Sequence, residues 1–159
     1  MKKIEIDDII KQQFEYYQNM CSLLSDFKDS HFDPPGDIEK IEQWEKDNGT
    51  NLPHQYKSWL LLSAGSNILD GFIELSWPEI GTLDERNDII IIASIIGDGE
   101  TVYISRTDRK VYSIFEGEIK EYNDFDDFLT IKSLYIETLA KEYLGDDWGD
   151  IYDKQFGSE

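Results

Sequence analysis

The sequence predicts an α+β fold in one domain, 1–159, with an antiparallel β-sheet meander packed against N-terminal helices and a C-terminal helix. Three observations carry this. Ile10, Phe14, Tyr17, Cys21 and Leu24 recur in steps of four and three, the period of a helix face. From GFIELSW at 71–77 the period drops to two, with Ile73, Leu75 and Trp77 alternating against Phe72, Glu74 and Ser76. Phe125, Phe128, Leu129, Ile136, Leu139 and Tyr143 then restore helical spacing.

Taken in order, the first helix is expected over about 7–28, ended by HFDPPGD, whose two prolines and glycine cannot continue it. Asp37 reads as an N-cap for a second helix carrying Ile38, Ile41 and Trp44, which Gly49 stops. NLPHQYKSWLLLSAG at 51–65 reads as a third. Pro53 suits the first helical position, because it has no amide proton and its φ is already helical. Gly65 suits a left-handed residue just past the end. Leu52, Tyr56, Trp59, Leu60 and Ser63 form the apolar face, with His54, Gln55, Lys57 and Ser58 opposite.

DIIIIASII at 88–96 has the near-continuous apolar character of a central strand covered on both faces. GDG at 97–99 is turn chemistry and TVYIS at 101–105 the returning strand. KVYSIF at 110–115 and EIKEY at 118–122 form a further hairpin with Glu116-Gly117 at its bend. Asn123 is the expected cap of the last helix. The tail, 145–159, is acidic and glycine-punctuated with Trp148, Tyr152 and Phe156 interleaved, so it is either frayed or docked through its aromatics.

The charge balance narrows the function. Asp and Glu number 34 against 15 Lys and Arg, a formal net charge of −19. Nucleic acid and anionic membrane surfaces both demand cationic contacts, so neither is an expected partner. A basic protein is, through electrostatic steering. The opening MKKIEIDDII has no uninterrupted apolar segment after its lysines, and IIIIASII at 89–96 is too short to span a bilayer. Cys21 is the single cysteine, so no intrachain disulfide forms and the cytoplasm is the expected compartment.

No constellation reads as an active site. GDG lacks the spacing of a dinucleotide fingerprint and no Gly-Lys-Ser/Thr follows it. His31 sits at a proline break and His54 on a polar helix face, and no nucleophile motif accompanies either. Cys21 falls on the apolar stripe of the first helix. DDWGDIYD at 146–153 offers Asp146, Asp147, Asp150 and Asp153, but lacks the fixed register and closing glutamate of a calcium loop. Carboxylate pairs such as Asp126 with Asp127, or Glu79 with Asp84 and Glu85, arise by chance in so acidic a chain. No catalysis, cofactor or metal is expected.

Residues 38–65, IEKIEQWEKDNGTNLPHQYKSWLLLSAG, resemble the signature of the SUKH superfamily (Smi/Knr type) at Ile41, Glu45, Gly49, Leu52, Pro53, Tyr56, Leu60 and Gly65. The later stretch from IIIIASII to the Phe-x-x-Phe-Leu of Phe125, Phe128 and Leu129 is similar to that family's central hairpin and last helix, so the likeness spans about 36–130. Ala64 departs from the Asn that often precedes the closing Gly. The first helix and the acidic tail fall outside the likeness. It implies that 51–65 is a scaffold element. It also implies a non-catalytic binding role, either as an immunity protein that neutralises a cognate toxin domain or as a regulatory scaffold with an endogenous partner. An immunity role combined with this charge points to a toxin domain with a cationic groove, as in a nuclease, whose active site the protein masks. The expected contacts are Glu79, Asp84, Glu85 and Asp88 in the loop entering the central strand, with Asp146, Asp147, Asp150 and Asp153 in the tail. Trp77 and Trp148 are the expected aromatic anchors.

Overall fold

A computed structural model of the chain describes residues 5–83, 86–95 and 99–157. Helix α1, Asp8–Leu23, starts where the Asp7 carboxylate accepts from the amides of Ile9 and Ile10. It ends five residues before the expected 28, because Leu24–Phe27 close into turns rather than a further helical turn. After the two-residue strand β1, His31–Phe32, come α2, Ile38–Asn48, and α3, His54–Leu62. Asp37 caps α2 through the Glu39 amide, and Gly49 leaves it in the left-handed region at φ 61°.

Two expectations at α3 need correction. Pro53 stands one place before the helix, extended at ψ 144°, and is its N-cap residue. The helix ends at Ser63, which is also extended, so Gly65 is not a left-handed cap. What Gly65 supplies is space, since a Cβ there would lie 2.7 Å from Asp33 Oδ2. Leu52, Tyr56, Trp59, Leu60 and Ser63 are buried as expected. Ser58 is buried too, because its hydroxyl accepts from the Asp7 amide at the start of α1.

The sheet is a meander: β1, then β2 (Ser66–Ile68), β3 (Ile73–Leu83), β4 (Arg86–Ile95), β5 (Glu100–Ser105), β6 (Val111–Phe115) and β7 (Glu118–Tyr122), each antiparallel to the next. Strands β1 and β2 have no periodicity to announce them; three residues or fewer show none. The β6–β7 bend is the expected one, with both Glu116 (φ 51°) and Gly117 (φ 82°) left-handed, as a two-residue hairpin requires. Of the expected GDG turn, residues 97 and 98 lie outside the described residues; Gly99 has φ 78°.

Helix α4, Phe125–Leu144, is capped one residue later than expected. Asp124 accepts from the Asp127 amide, and the Asp127 carboxylate reaches back to the Asn123 amide, a reciprocal capping arrangement. The tail is helical: α5, Trp148–Phe156, docks by Tyr152, whose ring packs at a tilt against Tyr16 and Phe156 and whose hydroxyl accepts from Asn19.

One core runs through all of this, from Ile10 in α1 through Trp59 and Ile92 to Ala140 in α4. Trp59 is its centre, meeting Phe14, Tyr17 and Phe125 edge-on. Central strand β4 sends Ile90 and Ile92 into that core. Its other face is covered differently from expectation: Ile89 packs with Tyr103 and Ile114, side chains of neighbouring strands, in a cluster that contains no helix residue.

Candidate functional site

Pairing of β1 with β2 and β2 with β3 brings three distant segments, 31–33, 64–67 and 74–77, around one groove of about 500 Å³ at the sheet edge. The segment after β1 is strapped down over the end of α3. The Asp33 amide donates to Gly65 O, the Gly36 amide to Leu60 O and the Ala64 amide to Pro34 O. Gly36 is needed there, because a Cβ would meet Leu60 O at 2.5 Å. Ala64, Gly65 and Ser66 give the groove a small-residue lining. Asp33 stands over Gly65, with His31 Nε2 2.8 Å from its Oδ1. Glu74 lines the groove beside Asn67, whose side-chain amide donates to it at 3.4 Å. Trp77 is half-buried, packed on the core and lying over Gly36.

Trp77 is held there by an irregularity. Leu75 pairs with Ala93 and Glu79 with Ile91, so Ser76, Trp77 and Pro78 together oppose Ile92 alone. Such a bulge is where a strand accommodates a proline. The carbonyls it displaces are met by Tyr56, whose hydroxyl contacts Ser76 O and lies 3.1 Å from Ile92 O. Burial holds that phenol far above its ordinary value. Leu52, Pro53 and Tyr56 thus act as one fastening. The buried Glu45 carboxylate accepts from the Leu52 amide at 2.7 Å and pairs with Lys57 at 2.9 Å. A second pair, Lys132 with Glu100, both buried, fastens α4 to β5 at 3.5 Å.

The expected contact residues fall into separate places. Glu79 is exposed and ends a cross-strand row formed by Ile91, Tyr103 and Tyr112, on the sheet face away from the main core. Asp84 and Glu85 lie outside the described residues, as does the side chain of Asp88. Asp146, Asp147, Asp150 and Asp153 are all exposed at the α4–α5 corner, where Asp146 is 3.6 Å from Lys141. Trp148 is half-buried against the core. The groove therefore takes Trp77 alone from the expected set and adds His31, Asp33 and Glu74. No local pattern marks those three, since they meet only through strand pairing.

Nothing in the groove forms a nucleophile–base pair: His31 is engaged with Asp33, and among the described residues no hydroxyl or thiol is hydrogen-bonded to it. His54 is exposed on α3. Cys21 is buried, and burial pushes its thiol up to about 11, away from thiolate reactivity. Among the described residues no cluster of three His, Cys, Asp or Glu side chains could hold a metal, and no helix is long and apolar enough to cross a membrane. No known family model matches the chain, and comparison with curated proteins finds no match.

Proposed function

We infer that this chain is a cytoplasmic, non-catalytic binding protein of the SUKH type, an immunity protein that neutralises a basic toxin domain by covering its active site. The observation that carries this is the excess of exposed carboxylates over cations, several of which are tied to the chain's own acids and carbonyls. Half-buried Lys57 pairs with Glu45 and buried Lys132 with Glu100, Lys110 is paired with Glu121, and Arg106 and Arg109 donate to the carbonyls of Asn48 and Asn51. Among the described carboxylates only Glu45 and Glu100 are buried, and each faces one of those lysines. Most other described lysines are exposed, but exposed carboxylates far outnumber them, so the exterior is strongly negative. A surface of this kind accelerates capture of a cationic partner and rejects anionic ones. It can also occupy a phosphate-binding groove as a mimic of the substrate backbone. The resemblance at Ile41–Gly65 supports the same reading, since Glu45, Gly49, Leu52, Pro53 and Tyr56 serve the scaffold and leave the surface free to diversify. A regulatory scaffold with an endogenous basic partner would use the same surface.

Co-expression separates the two. A toxic domain encoded beside this chain is induced in a sensitive host with and without it. Survival only in its presence, with a stable complex on purification, is the expected result; no rescue and no complex transfers the reading to the scaffold role.

A further inference from the structure

The groove at the β1–β3 edge has a chemistry that selects its guest. Asp33 and Glu74 contribute carboxylates, and among the described residues no lysine or arginine lines it. The nearby donors are already turned elsewhere: Asn67 donates its side-chain amide to Glu74, and the Ser76 hydroxyl donates to Ile92 O. His31 holds Oδ1 of Asp33, while Oδ2 stands over Gly65, close enough that a Cβ there would collide. What the groove offers is therefore acceptors, on a lining kept shallow by Ala64, Gly65 and Ser66, beside the indole of Trp77. A guest that suits this lining brings donors and positive charge, and a planar group can pack beside the indole. A guanidinium combines all three, with five N–H donors in a planar fork that stacks on indole, whereas an ammonium is a strongly hydrated point charge.

We propose that this groove receives an arginine side chain of the protein partner, its guanidinium held by Asp33 and Glu74 against Trp77. That the arginine belongs to a protein rests on the binding function inferred above, and the acidic exterior favours a partner rich in such residues. A second copy of this chain is a poor donor, because two such acidic bodies repel, and the two arginines whose side chains are described, Arg106 and Arg109, are tied to its own backbone.

The test titrates a blocked Gly-Ser-Arg-Ser-Gly peptide into the isotopically labelled full chain, followed by amide and indole N–H signals. Expected are shifts at Gly65, Ser66 and the Trp77 indole, with binding about tenfold weaker, some 1.4 kcal/mol, in Asp33→Asn/Glu74→Gln. Both side chains are solvent-accessible and both replacements isosteric, so the double variant should keep a dispersed spectrum; Glu74→Gln alone serves if it does not. Shifts centred on α5, or unchanged in the variants, would overturn the site. An equal response to a blocked Gly-Ser-Lys-Ser-Gly peptide would overturn the guanidinium assignment. Free arginine binding as tightly as the peptide would make the guest a small molecule and overturn the partner side chain. The rescue assay keeps the two inferences apart. If the wild-type chain protects and the double variant protects equally, the groove fails and the immunity reading stands. If the wild type does not protect, that reading fails, and the peptide titration still decides the groove.

Discussion

At the scale of single residues, Tyr56 shows how one hydroxyl serves the fold. Its phenol meets carbonyls on both strands at the β3 bulge. Tyr56→Phe keeps the packing against Phe125 but takes a donor from both carbonyls, leaving Ile92 O only the Ser76 hydroxyl, so a loss of about 1–3 kcal/mol is expected in denaturant unfolding. An unchanged midpoint would mean that water replaces the hydroxyl. Cys21 and the tyrosines make a second prediction. Burial raises Cys21 from an ordinary 9.0 to about 11 and raises Tyr17 and Tyr56 further. Tyr112 is raised to about 12, chiefly by its hydrogen bond to Asp108. In each case the folded state holds its proton more tightly than the unfolded one. The associated stability is therefore complete below pH 9 and is lost as pH rises toward 11 and beyond. Melting temperature should fall steadily across that window, and native Cys21 should alkylate slowly at pH 8; a flat profile would show that these groups titrate freely in the fold.

At the scale of elements, the ends of the helices decide where the strands begin. Asp124 and Asp127 cap α4 reciprocally, and Asp124 also accepts from Gln55 of α3 at 3.3 Å. Asp124→Ala should cost about 1 kcal/mol, read from thermal unfolding. Helix α5 has no buried residue of its own and no side-chain cap, and is fixed by half-buried Trp148 and Tyr152. In Trp148→Ala/Tyr152→Ala its amides should exchange at unprotected rates while those of β4 and β5 keep their protection. Loss of protection throughout the sheet would instead make α5 part of the global folding unit. The legibility of elements followed their length. The long periodic stretches α1, α2, β4 and α4 are evident from spacing, whereas β1 and β2, at two and three residues, exist only because β3 offers them an edge. The groove depends on those two strands, which is why Asp33 and Glu74 carry no signal in the linear sequence.

At the scale of the whole molecule, a net charge of −19 carried by the surface predicts a salt-sensitive complex. Screening shortens the reach of exposed charges from about 10 Å at 0.1 M salt to about 3 Å at 1 M. Association with the proposed toxin domain should therefore slow markedly over that range while dissociation changes less, as surface plasmon resonance would record. A salt-independent association rate would move the interface to apolar surface and sink the electrostatic mechanism.

By itself the sequence determined the α+β class, the order of the long elements, the interior faces of α1 and α2 and the acidity of the exterior. These follow from periodicity, caps and composition, which act over a few residues at a time. Tertiary structure alone decided that Ser58 is buried, that Gly65 provides room for Asp33, that the tail is a docked helix, and that Trp77 shares a groove with Asp33 and Glu74. Each of those depends on contacts between segments far apart in the chain, where the deciding quantity is which surfaces meet, and no local spacing encodes that.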